Sequence, residues 1–139
     1  MFNLHGHTKL AEWRRFRDEL ETSSNPLEQV AEYWAHAPFV NNYLSEDPND
    51  WPDPWQLILD NELDDLAIAL GMCYTIKLTQ RFNQSKCEIH KTVDDKNRSR
   101  YFLIVDDQYV LNYDYRQVVG VEDLSKTPSD PLWSKQDAI

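Results

Sequence analysis

Glycine is scarce in this chain: three residues in 139, Gly6, Gly71 and Gly120, no two of them close together. A loop that cradles phosphate needs several glycines within a few positions, so that mode of nucleotide binding is excluded. Cysteine is equally sparse. Cys73 and Cys87 fit neither a zinc-ligand spacing nor a C-x-x-C motif, which argues against a disulfide scaffold and for a reducing compartment. No apolar run approaches the roughly 20 residues of a membrane-spanning helix. The opening Met-Phe-Asn-Leu-His-Gly-His has no basic-then-apolar leader pattern. The expectation is a soluble protein that makes no membrane contact. Positive charge is also short, with 14 Lys and Arg against 24 Asp and Glu, a net charge of −10. A nucleic-acid backbone is repelled at that charge, so no direct nucleic-acid contact is expected, and an acidic surface suits a basic protein partner better.

Aromatic residues, in contrast, make up 12% of the chain, with five Trp and seven Tyr. A disordered chain lacks such residues, and this length is that of one ordinary domain. Leu10, Trp13, Phe16 and Leu20 recur at helical spacing, so residues 8–20 read as an amphipathic helix with Thr8 as its cap. Asn25-Pro26 opens a second helix, with Leu27, Val30 and Trp34 on one stripe, that ends before Pro38. Residues 39–54 form a long loop. Trp51 and Trp55 bracket two prolines in it, a rigid segment that reads first as a packing clamp. A short turn, Pro54–Leu59, leads to the strongest helix, Glu62 to about Thr79. Asn61 is its expected cap, acids fill its first turn, and the small residues Ala67, Ala69 and Gly71 allow close packing.

The period then changes to two. Cys87, Ile89 and Val93 alternate with polar residues, and Tyr101–Val105 is apolar on both faces. Asp94–Asn97 and Asp106-Asp107 read as turns, and Gln108–Tyr113 and Arg116–Val121 as further strands. The expected fold class is α+β: N-terminal helices and one central helix packed on a three- or four-stranded antiparallel meander. Residues 1–121 form a single domain, with 8–38 its helical N-terminal part and 51–121 its core. Residues 122–139 are expected to be an extended C-terminal arm whose Trp133 docks on this domain or on a partner.

No complete reactive constellation emerges. Cys73 lies on the buried stripe of the central helix. Cys87 and His90 stand three apart in a strand, which puts them on opposite faces. His5 and His7 lack a third ligand at motif spacing, and His36 and His90 are isolated. The acids of residues 60–65 lack the glycine and glutamate spacing of a calcium loop. No metal or cofactor is expected.

The stretch Trp51-Pro-Asp-Pro-Trp through Asn-Glu-Leu-Asp-Asp-Leu-Ala-Ile-Ala-Leu-Gly resembles the nucleophile region of bacterial transglutaminase-like cysteine peptidases, whose Gly-Asp-Cys-x-Asp-x-Ala opens a long helix. Matching Asp65 and Ala67 to that motif's Asp and Ala puts Leu63 where the cysteine stands. Tyr101–Val105 and Tyr109–Tyr113 resemble the strands that follow, with Tyr101 at the histidine's place and Asn112 near the family's acid. The resemblance spans residues 51–121 and implies a papain/transglutaminase-like core that is degenerate. A thiolate at a helix start can attack a carbonyl, and leucine cannot.

The whole chain, including Asn25-Pro26-Leu27-Glu28-Gln29-Val30-Ala31-Glu32-Tyr33-Trp34 and the Trp51-Pro-Asp-Pro-Trp segment, also resembles small proteins of tailed bacteriophages of the cyanophage and marine myovirus type. That resemblance implies a structural protein of the virion, in the tail, baseplate or head–tail connector. Its partners would be other virion proteins, with no small-molecule substrate. Trp51, Trp55 and Trp133 are the expected interface anchors. Two alternatives remain open: an atypical cysteine hydrolase using Cys87 with His90 or His36, and an acidic phage protein that occupies a basic host protein.

Overall fold

A computed structural model describes residues 1–40, 44–60, 62–124 and 127–139. Its helices are α1 (Gly6–Leu20), α2 (Pro26–Trp34), α3 (Pro54–Leu59) and α4 (Asp65–Lys77). The strands are β1 (Cys87–Val93), β2 (Ser99–Val105), β3 (Tyr109–Asp114), β4 (Gln117–Gly120) and β5 (Asp130–Lys135). They form one antiparallel sheet in the order β4-β3-β2-β1-β5. The α+β expectation holds, with one strand more than foreseen.

The helical stripes seen in the sequence face inward. Trp13, Phe16 and Leu20 of α1 and Leu27, Val30 and Trp34 of α2 are all buried. In α4 every residue from Leu66 to Lys77 is buried, because the helix is covered by other helices on one side and by the sheet on the other. One hydroxyl organises the junction of α1, α2 and α4. Thr75 Oγ1 accepts from the indole N–H groups of Trp13 at 3.1 Å and Trp34 at 3.0 Å, and itself donates to the Gly71 carbonyl at 2.7 Å. A hydroxyl has one proton and two lone pairs, so its capacity is filled. Gly71 is required beneath it, since a Cβ there would overlap the Trp34 ring.

Two helix starts differ from expectation. Thr8 lies inside α1, which begins after His5 without a side-chain cap. Asn61 lies outside the described residues. The cap of α4 is Asp64, whose carboxylate accepts from the Ala67 amide at 2.8 Å and from the Leu44 amide at 2.8 Å. The helix therefore starts three residues later than Glu62. A carboxylate that accepts both from its own helix and from a loop 20 residues earlier wins over the neighbouring acids.

The C-terminal segment is the main correction. It is not an extended arm. After β4, Val121 and Leu124 pack with Phe102, Ile104 and Val110 on the sheet face away from the helices. The chain then reaches the opposite edge, where β5 pairs with β1, Trp133 facing Ile89 in register. Pro131 offers no N–H and is tolerated because β5 is an edge strand. The Lys77 ammonium, buried at the end of α4, donates to the carbonyls of Asn83, Ser85 and Gln136 at 2.7–2.9 Å and ties the end of the chain down.

Candidate functional site

The start of α4 meets the sheet at a single carboxylate. Asp65 Oδ2 accepts from the Tyr101 amide at 2.7 Å and lies 3.3 Å from Arg100 Nε. Its Oδ1 accepts from the Asn112 side-chain amide at 3.1 Å, and that same amide donates to the Tyr101 carbonyl at 2.9 Å. Asn112 reaches this point because it takes a left-handed conformation, φ 64°, where the β3–β4 register shifts. Such a bulge turns a side chain out of the ladder, and asparagine tolerates the conformation better than most residues.

Leu63 lies two residues before Asp65, 1% exposed and within the hydrophobic core. Its carbonyl accepts from the Val40 amide at 3.0 Å, beside a parallel bridge to Phe39. Burial, with the Glu46 carboxylate adding to it, raises the Tyr101 phenol above its ordinary value, so it stays protonated at neutral pH. A cleft of about 660 Å³ opens here between Phe39, Asp64, Asp65, Arg100 and Tyr101. It is framed by an amide, two guanidiniums and carboxylates already engaged. Among the described residues, no thiol or imidazole lines it.

The cysteines lie elsewhere. Cys73 and Cys87 are both fully buried, and their thiols contact each other. That hydrogen bond, and then burial, pushes the Cys73 thiol well above its ordinary value. His90 is on the other face of the sheet, as strand alternation requires. It stacks on Phe102 and hydrogen-bonds Glu88 at 2.9 Å and Ser129 at 3.1 Å. His36 is exposed and pairs with Glu32. Neither histidine faces Cys87.

The three tryptophans singled out as anchors diverge. Trp51 and Trp133 pack edge to face at 5.5 Å, and Trp51 donates to the Ser45 carbonyl at 2.7 Å. The chain's own end thus covers Trp51. Trp55 packs edge to face on Trp13 at 5.7 Å but stays 46% exposed.

No protein-family model matches this chain, and no curated protein matches its sequence. Among solved structures, calcium-bound LapG of Legionella pneumophila superposes with a TM-score of 0.68, at 13% identity, over 96% of this chain and 78% of that one. The fold is transglutaminase-like. At that identity the likeness speaks for the fold alone. Calcium belongs to the LapG structure. Among the described residues of this chain, no group of three or more His, Cys, Asp or Glu side chains is placed to hold an ion.

The transglutaminase-like frame brings the start of α4, β2 and β3 together, and with them Tyr101 and Asn112 around Asp65. In the sequence, Asp65 is an acid in the first turn of a helix and a point of motif alignment. Its position two residues after Leu63 was visible. Its partners Arg100 and Asn112, 35 and 47 residues away, were not. No helix is long and apolar enough to cross a membrane among the described residues.

Proposed function

We propose that this chain is a catalytically silent transglutaminase-like domain that works by binding other proteins. Leu63 carries the reading. It stands where the sequence resemblance puts the nucleophile, buried to 1% exposure, and its side chain has no atom that can attack a carbonyl or hold a proton. Tyr101 and Asn112, at the places of the histidine and the acid, are tied to Asp65, and a protonated phenol cannot act as the base at neutral pH. The phage-type resemblance supplies the setting: a structural or assembly component of a tailed-phage virion, in the tail, baseplate or head–tail connector, with other virion proteins as partners.

The alternative is a cysteine hydrolase, favoured by the cysteine protease fold of LapG. It needs an accessible, activated thiol, and both thiols here are in the core. A thiol electrophile applied to the folded protein separates the two readings. The silent domain is expected to label only after unfolding, and to leave casein and ester substrates uncut. Rapid native labelling of Cys87, abolished together with hydrolysis in Cys87→Ala, would falsify the silent reading. Mass spectrometry of purified virions tests the setting, and absence of the chain from the particles overturns it.

A further inference from the structure

Seven arginines are present, and five of them are engaged. Arg15 pairs with Glu12 and Glu19, Arg98 with Asp94, Arg100 with Asp65 and Arg116 with Glu32, while Arg81 donates to the carbonyls of Leu20 and Ser23. Among the described residues, Arg14 and Arg17 make no hydrogen bond and no ion pair, and both line one groove of about 620 Å³ between α1, α3 and the chain just after α4. The Arg17 guanidinium lies over the Trp13 ring at 4.4 Å and the Trp55 ring at 5.5 Å. Its Nε is buried with no acceptor in reach. Stacking on two indoles fixes the plane of the guanidinium while leaving its N–H donors unused.

The surroundings make this site unusual for so acidic a chain. Arg14 and Arg17 stand one helical turn apart on α1, a like-charge pair that nothing neutralises within hydrogen-bond distance. Asp18 on the same wall acts on Arg17 only at longer range, opposing the effects of burial and of Arg14. The Glu21 carboxylate is already taken by the amides of Gln80 and Arg81 at 2.8 and 2.9 Å. The apolar part of the lining is Leu10, Ala11, Leu78 and the exposed part of Trp55, with His7 and Gln80 completing it. Two uncommitted cations beside an apolar wall match a carboxylate with an apolar neighbour. They match a polyphosphate poorly, because the chain's net charge of −10 repels an extended polyanion.

The geometry points to this groove as a docking site for an acidic–apolar segment of a partner protein. Its Asp, Glu or terminal carboxylate is held by Arg17 and Arg14, and its adjoining apolar side chain lies against Trp55 and Leu78. The inference rests on the protein-binding reading above and narrows it: of Trp51, Trp55 and Trp133, the anchor presented outward is Trp55.

The test is a titration of the isotope-labelled full chain, followed by NMR at the Trp55 indole N–H and the Arg17 Nε–H. The probes are the peptide acetyl-Ala-Phe-Glu-Leu-Ala-amide, its Gln counterpart and inorganic phosphate. The expected result is a saturable shift of both signals, with the Glu peptide about tenfold tighter than the Gln peptide, the cost of one charge-assisted contact. Added salt should weaken binding. Arg17→Gln and Arg14→Gln should each lose most of the affinity. Because Arg17→Gln also removes stacking on Trp13, the exposed Arg14→Gln is the variant that keeps its fold, and wild-type binding by it overturns the proposal. So does the absence of saturation, or equal binding of the Glu and Gln peptides. A response to phosphate alone overturns it as well and reassigns the groove to phosphoryl groups. Cleavage of the peptide during the titration counts against the silent-domain reading and leaves the docking result standing.

Discussion

The side-chain amide of Asn112 meets the carboxylate of Asp65 at 3.1 Å, although 47 residues separate them in the chain. The contact joins a strand bulge to the first residue of the central helix.

Asn112→Ala removes the bonds to Asp65 and Tyr101 and puts a Cβ-bearing residue with no polar group into the left-handed region. The expected loss of stability is about 2–3 kcal/mol, the sum of a lost polar contact and backbone strain. Asn112→Gly keeps the bonds broken but relieves the strain, so its loss should be smaller by about 1 kcal/mol. Urea midpoints of the two variants check both the total and the difference.

Thr75→Val keeps the shape of the side chain and leaves the indole N–H groups of Trp13 and Trp34 without an acceptor. Two buried donors left unpaired are expected to cost about 2–4 kcal/mol. Thermal melting measures this, and Thr75→Ser, which keeps the hydroxyl, should recover most of the loss.

Lys77→Met replaces three ammonium–carbonyl bonds with an apolar end. A loss of about 2–4 kcal/mol is expected, because the carbonyls of Asn83, Ser85 and Gln136 are left in a part-buried site without their donor. Amide hydrogen exchange should rise most in β5, beyond any global change, since Gln136 follows directly on that strand. Uniform acceleration across all strands would refute the role given to Lys77.

Asp94 holds the β1–β2 turn by accepting from the amides of Arg98 at 2.8 Å and Lys96 at 3.0 Å and from Arg98 Nε at 3.0 Å. The Arg98 amide first, and the Arg98 side chain after it, hold the Asp94 carboxyl below its ordinary value of 3.8. With the folded pKa depressed, the carboxylate's contribution is complete above the ordinary value and is lost as pH falls through the lower folded one. Carbon-13 titration should give a midpoint under 3.8 for Asp94. In Asp94→Asn the turn should lose its dependence on pH in that range.

Much of this architecture was legible in the sequence because local rules and tertiary demands agree there. The spacing of Trp13, Phe16 and Leu20, the small residues around Gly71, and the alternation from Cys87 each placed an element correctly. Asp106 and Asp107 did so too, and both take positive φ in the tight turn between β2 and β3. Cys87 and His90 were separated by strand alternation alone, and they do lie on opposite faces. The failures came where partners are remote. Asp130–Lys135 has neither alternation nor strong strand propensity, and it is a strand only because the edge of β1 offers it hydrogen bonds. Lys77, at the end of the central helix, is buried because two carbonyls from the loop just after that helix and one from the remote Gln136 converge on it.

Composition and spacing by themselves determined the α+β class, the central helix and the meander, since each depends on side-chain periodicity. Only the tertiary structure decided that the C-terminal segment completes the sheet, that Asn112 ties β3 to Asp65, and that Trp51 is covered by Trp133 while Trp55 stays open beside Arg17. Those are contacts between residues far apart in sequence, and their energy depends on burial and distance, which exist only once the chain has folded.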